Sequence, residues 1–229
     1  MFDTHGARDN PPSSGSPAFA PISPQVVELR GIMRLPTTAS SYVRGEEIYG
    51  EGEPADYLYR VTRGAVRTYK LMSDGRRQID AFHLPGDTFG FNSGDAHVLT
   101  AEAVVDTTVG VVKRRALEGA AKTDAGIACQ MWRTTALELR HAQEHMLLLG
   151  RKNALERVVA FLLDMDRRLS VVGLLALPMC RRDIGDYLGL TLETVSRSLS
   201  ALAEMGLIGL SGARQISLRD RPRLRAMTE

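Results

Sequence analysis

Cysteine is nearly absent: Cys129 and Cys180 are the two in 229 residues. Two distant thiols make neither a disulfide framework nor a four-thiolate cluster within one chain, so a reducing cytoplasm is the expected compartment. No apolar run approaches the ~20 residues that span a bilayer. The N-terminus lacks a basic start followed by an apolar core, so neither a secretory signal nor a membrane partner is expected. There is no Gly-rich phosphate loop, no Gly-x-Ser-x-Gly elbow and no His-Glu-x-x-His helix. Isolated His and Ser residues have no partners at readable spacing. The chain is therefore expected to carry no catalytic residue and no metal site.

Net charge is only +2, but it is unevenly placed. Residues 151–229 hold 13 Lys and Arg against 9 Asp and Glu, a balance of +4, which leaves −2 for the remainder. Basic charge gathered in one region is the footprint of a nucleic-acid contact, and also of a solvated basic face.

Five of the ten prolines fall within residues 1–24, a stretch with too little apolar surface to offset the cost of ordering; a disordered tail is expected there. Residues 24–35 have the spacing of a short amphipathic helix. Between about 41 and 117, β-branched and aromatic runs at 47–49, 57–61, 65–71, 78–83, 99–105 and 107–112 are punctuated by glycines, the pattern of a β sandwich or barrel. Asp74-Gly75 suits a hairpin turn. Helical spacing returns from Asp124. A long helix over 130–149 has a wide apolar face (Ile127, Met131, Leu137, Ala142, Met146, Leu149) that can pack on its own chain or on a twin. Cys129 is expected in the core there. Gly150 marks a break, and 153–163 reads as a second helix.

The most informative stretch is 183–208. Ile184, Tyr187 and Leu188 form an i, i+3, i+4 stripe that Gly189 ends. Val195, Leu199, Leu202 and Met205 form a second stripe, closed by Gly206. Two short helices around such a turn make a helix-turn-helix, and the runs at 207–210 and 215–218 add a wing. Leu192, Glu193, Ser196 and Arg197 share the exposed side of the second helix's first two turns, the place from which this motif reads base edges. Arg197 can give two hydrogen bonds to guanine, Glu193 can accept from cytosine or adenine, Ser196 can adapt, and Leu192 can meet a thymine methyl. Glu193 and Arg197 at i, i+4 would equally form an ordinary helix-stabilising pair. Thr191 and Thr194 are expected as cap and phosphate contacts; Arg214 in the wing contacts phosphate or is solvated. Cys180 stands where a Ser or Thr would cap the first helix, next to Arg181 and Arg182, at an N-terminus whose dipole favours a thiolate.

Three stretches carry a family resemblance. GEEIYGEGEPADYLYRVTRGAVRTYKL (45–71) is similar to the cyclic-nucleotide-binding β-roll, LPMCRRDIGDYLGLTLETVSRSL (177–199) to the DNA-binding signature of the FNR branch, and MLLLGRKNALERVVAFL (146–162) to its dimerisation-helix end and hinge. The chain thus resembles the CRP/FNR family of bacterial transcription regulators, and within it the FixK-type activators. The resemblance implies an α+β fold: a disordered tail (1–24), a double-stranded β-roll (25–120), a long dimerisation helix (121–152) bearing Ile127, Met131, Ala142, Met146 and Leu149, and a C-terminal winged helix-turn-helix (153–229). It implies a homodimer on double-stranded DNA, an RNA polymerase contact near residues 73–77, phosphate contacts from Cys180, Arg181, Thr191, Thr194 and Arg214, and a TTGA-N6-TCAA palindrome. It also implies that an oxidised Cys180 would set an anion beside a phosphate and inactivate binding. The family's sensors do not transfer. Cyclic-nucleotide binding uses an Arg-Ser pair on the phosphate, and none follows the turn at 85–90 before Val105. His83 and His97 lack a recognisable second haem ligand. No cofactor is expected; a roll gated by cyclic nucleotide or haem is the alternative.

Overall fold

The computed structural model describes residues 37–169 and 173–228. The expected tail and the helix over 24–35 lie outside them. Eight strands come first: β1 (Thr38–Tyr42), β2 (Glu47–Tyr49), β3 (Tyr57–Arg63), β4 (Val66–Leu71), β5 (Arg77–His83), β6 (Thr88–Phe89), β7 (Thr100–Ala103) and β8 (Thr107–Lys113). They form two antiparallel sheets, ordered β1-β8-β3-β6 and β2-β7-β4-β5. Period-two alternation turns Tyr49, Tyr59, Val61, Val66, Phe89, Ala101 and Val109 into a shared core. At the β4–β5 hairpin Gly75 takes φ 83°, a left-handed conformation that glycine adopts without a Cβ clash.

The interior of this roll is filled by stacked rings. Tyr59 lies 5.3 Å from both Tyr49 and Phe89, His97 stacks on Tyr49 at 3.5 Å, and His83 stacks on Phe89 at 4.9 Å. The His83 ring nitrogen is 3.1 Å from the Thr68 hydroxyl, and His97 pairs with Asn92 at 2.9 Å.

The helical part follows: α1 (Arg114–Thr123), α2 (Ala125–Arg151), α3 (Ala154–Leu169), β9 (Leu174–Ala176), α4 (Arg181–Leu188), α5 (Leu192–Glu204), β10 (Ile208–Leu210), β11 (Gln215–Leu218) and α6 (Arg221–Ala226). Gly150, expected to break the long helix, lies inside α2. One glycine costs a helix only about 1 kcal/mol, and the chain turns instead at Lys152 and Asn153. There Asn153 and Glu156 exchange side-chain-to-backbone hydrogen bonds, 2.9 and 3.0 Å, which start the next helix. Arg157 completes the corner, donating to the carbonyls of Leu149 (2.7 Å), Lys152 (2.9 Å) and Leu188 (3.0 Å).

Ile127 and Met131 were expected on a dimer face, and the structure corrects this. Ile127 is buried with Leu58, Val112 and Leu117, and Met131 packs on the same cluster. A helix with apolar residues around much of its girth offers two stripes, and this one covers the outer face of its own roll. Cys129, expected in the core, is exposed. The stripe left open holds Trp132, Leu139 and Met146, which are 73%, 60% and 66% exposed and seven residues apart.

Roll and head share one core. Ile79, Phe82 and Leu84 of β5 and the turn after it join Phe161, Leu162, Ile184, Leu188 and Leu199 in a single buried cluster. Tyr187 sits at the crossing, 5.4 Å from Phe82, 5.9 Å from Phe161 and stacked on His145 at 4.1 Å.

Burial pushes the His83 imidazole down to about 4. The folded protein therefore binds fewer protons there than the unfolded chain between pH 6.5 and 4, and stability falls as pH drops through that window. Urea unfolding should show up to about 3 kcal/mol of His83-dependent loss, and His83→Gln should flatten that part of the slope.

Candidate DNA-reading head

The two helices of the head are set by their ends. Cys180 precedes α4, and its backbone N–H and thiol both donate to Asp183 Oδ2 at 3.1 Å. Gly189 closes α4 in a left-handed conformation, φ 63°. Thr191 caps α5, its hydroxyl accepting from the Thr194 N–H at 3.2 Å. Val195, Leu199 and Leu202 point into the core. The close approach of the helices depends on Gly185, where an added Cβ would stand 2.6 Å from the Leu190 carbonyl oxygen.

On the opposite side of α5, Leu192, Glu193 and Arg197 are exposed and Ser196 is half-buried. Its own backbone N–H and the Thr191 hydroxyl, with further help from Arg182 and Arg197, hold the Glu193 carboxyl below its ordinary range. It is thus an ionised, acceptor-only group at neutral pH. The alternative i, i+4 pair is not closed: Arg197 Nη2 donates to Thr194 Oγ1 at 3.4 Å, and Glu193 and Arg197 form no ion pair among the described residues. Both groups face outward with hydrogen-bonding capacity to spare.

Behind α5, Arg181 reaches across from α4 and donates to Ser196 Oγ at 3.3 Å. The wing strands β10 and β11 pair antiparallel, and β9 adds a third strand. Arg214, between them, donates to the Pro178 carbonyl at 3.0 Å and shares a cleft with Cys180, Arg44 and Arg67. Two helices with the second one's N-terminal turns bare, followed by a β wing, form a winged helix-turn-helix.

Residues 156–227 match the Crp-like helix-turn-helix domain family, and residues 39–124 the cyclic nucleotide-binding domain family. The chain is 48% identical to the nitrogen fixation regulation protein FixK of Azorhizobium caulinodans, over 83% of this chain and 79% of that one. It is 41% identical to FixK of Rhizobium meliloti, over 92% and 98%. The chain belongs to the CRP/FNR family, as a FixK-type regulator. Among solved structures, FixK2 from Bradyrhizobium japonicum superposes with a TM-score of 0.83 at 64% identity, covering 85% of this chain and 98% of that one. This CRP/FNR regulator is a DNA-binding transcription regulator, and members of its family are not enzymes.

The four residues expected to read bases lie together on α5, three of them exposed and Ser196 half-buried. What sequence reasoning missed lies behind them. Asp183, only 4% exposed, collects donors from Cys180, Arg67 and Arg77. Burial alone would raise its carboxyl; the Cys180 thiol, Arg67, the Cys180 N–H and Arg77 outweigh that and hold it below the usual range. The signal present was a pair of aspartates, Asp183 and Asp186, at i, i+3 on a helix otherwise rich in arginine. No group of three or more His, Cys, Asp or Glu is placed to hold a metal among the described residues. No helix among them is long and apolar enough to cross a membrane.

Gly185→Ala should force α4 and the Leu190 turn apart, at about 1–3 kcal/mol for an overpacked site. Thermal unfolding should show the loss, and DNA affinity should fall with it.

Proposed function

We propose that this regulator is a cytoplasmic homodimeric activator that reads a TTGA-N6-TCAA palindrome without a small-molecule effector. The observation that carries the reading is the bare face of α5, with an ionised Glu193 one turn from an outward Arg197. An acceptor and a bidentate donor so spaced can address neighbouring cytosine and guanine edges, with Leu192 set for a thymine methyl. Two-fold half-sites call for a two-fold protein, and the seam Trp132, Leu139, Met146, with Ala142 beside it, has the heptad spacing of a two-helix contact. Leu149 is half-buried at the end of that helix. On this reading the chain divides into the tail, the roll to 120, the dimerisation helix to 152 and the head.

The effector-free part rests on the ring-filled roll interior and on the missing Arg-Ser pair. The turn that would face a nucleotide is otherwise engaged: Asp87 accepts from Arg168 of α3 at 2.6 Å. A ligand-gated reading draws on one feature, a cleft of about 610 Å3 between β5, α2 and Tyr187, lined by His83, Glu138, His141, His145 and Arg168. Calorimetry with cAMP and a visible spectrum of the purified protein separate the two. Polymerase contact is assigned to the exposed tip of the β4–β5 hairpin, with Arg76 outermost. Phosphate contact is assigned to Arg181, Thr191, Thr194, Arg214 and the Cys180 end of α4. Oxidation of Cys180 to the sulfinic or sulfonic acid would add an anion at that end and inactivate it.

Selection of bound duplexes from a random pool tests the half-site, its symmetry and the lack of an effector together; an asymmetric or TTGA-free consensus overturns the palindrome. Arg197→Ala should cost about 1–3 kcal/mol at the half-site guanine and little elsewhere. Leu139→Glu should yield a monomer by sedimentation and abolish tight binding. Peroxide should reduce binding of the wild type and spare Cys180→Ala; equal loss in both removes the redox assignment.

A further inference from the structure

The side of α4 that faces away from the reading surface is fastened to the roll by ions. Arg77 of β5 donates Nε to Asp186 Oδ2 at 3.0 Å, and Nη2 both to Asp186 Oδ2 at 2.7 Å and to Asp183 Oδ1 at 2.6 Å. Its guanidinium carbon lies 5.4 Å from the centre of the Tyr69 ring. Arg67 of β4 donates Nη1 to Asp183 Oδ1 at 2.9 Å and also bridges Glu102 of β7. Gln78 donates to the Tyr187 carbonyl at 3.3 Å, and His145 meets the same carbonyl at 2.8 Å. Two arginines of the roll thus meet two aspartates of α4, all four with side chains 6–25% exposed.

Ionic groups so far removed from water bind each other only at the right distance and angle, and removing one partner strands the other. Their contribution is to orientation more than to net stability. Asp183 and Asp186 lie at i, i+3, so one face of α4 meets two strands and cannot roll about its axis while both pairs hold. Leu192, Glu193 and Arg197 stay exposed, so this contact aims the head without covering it.

We propose that Arg67 and Arg77 are positioning residues for DNA binding. Through Asp183 and Asp186 they hold α4, and α5 with it, at one angle to the roll, and so keep the head in its binding orientation where relatives with a sensing roll would use a ligand. This deepens the effector-free reading above and rests on it. If the oriented state falls from nearly all molecules to about a tenth, apparent affinity falls about tenfold.

The test uses the full chain and a duplex that the wild type itself selects, so the outcome does not hang on the palindrome. Affinity and hydrogen exchange are measured for the wild type, Arg77→Gln, Asp186→Asn, the double variant and Arg77→Lys. Expected are an affinity loss of about tenfold in each single variant, no further loss in the double, and partial recovery with Lys. Amides of β5 and α4 should exchange faster while those of α5 keep their protection. Wild-type affinity in Arg77→Gln overturns the proposal, as does additive loss in the double variant or loss of α5 protection, which would mark a damaged head. Wild-type binding that requires added cAMP overturns the effector-free reading. The variants compared with cAMP present then still report on Arg77 alone.

Discussion

The structure turns on one buried carboxylate. Asp183 belongs to the first turn of α4, where a negative charge meets the helix's positive end. It also accepts from the backbone and thiol of Cys180 and from two arginines on adjacent strands of the roll. A carboxylate this enclosed would be unfavourable without its partners. With them it ties three things to one point: the start of α4, the Cys180 thiol at its N-cap, and the β4–β5 hairpin. Cys180 acts on Oδ2 and the two arginines on Oδ1, so an event at Cys180 is felt by the same carboxylate that holds the head to the roll.

The roll can serve as a holder because rings pack between its two sheets. Tyr49, Tyr59 and Phe89 occupy the space between the sheets, and the two histidines among them are stacked and hydrogen-bonded to neighbours. A packed interior resists deformation, since interiors have few voids to absorb a shift. The outer edge of such a body is a firm place from which to hold a second one. The continuous cluster from Ile79 through Phe82 to Ile184 and Leu199 extends that firmness into the head. Apolar burial supplies the adhesion there, and the arginine–aspartate pairs supply the direction.

Much of this was readable from sequence, and the reason is locality. The helix-turn-helix is written within 26 residues as two stripes and a glycine, and the strands are written as short β-branched runs between glycines. Three strands escaped notice: β1, TASSY, has one large side chain, β6 has two residues, and β9 is three residues long. The contacts around Asp183 escaped for another reason. They join residues 106 and 116 positions apart, and an arginine on a strand carries no mark of the carboxylate it will meet. The long helix shows the limit of periodicity itself. Its apolar residues are correctly placed on a helix, but Ile127 and Met131 turn toward the roll, and Trp132 and Leu139, one and eight positions further along, turn outward. Pattern reveals that a helix has apolar faces; which face the chain keeps for itself is decided by the shape of the roll it lies on.

The two ends of α2 then acquire distinct duties. Its first half is anchored to the roll through Ile127 and Met131. Its last turn is gripped by Arg157, whose three donors hold the carbonyls of Leu149, Lys152 and Leu188. Two of those carbonyls end α2 and the third ends α4, so a single guanidinium fixes the angle between the long helix and the reading head. With Arg67 and Arg77 acting through Asp183 and Asp186 and Arg157 on the Leu188 carbonyl, the helix is restrained at separate points, from two different bodies. A rod held at two points has lost its freedom to pivot. In a dimer formed along the Trp132, Leu139, Met146 seam, the separation of the two reading helices would therefore follow from the register of that seam, with little slack between one and the other.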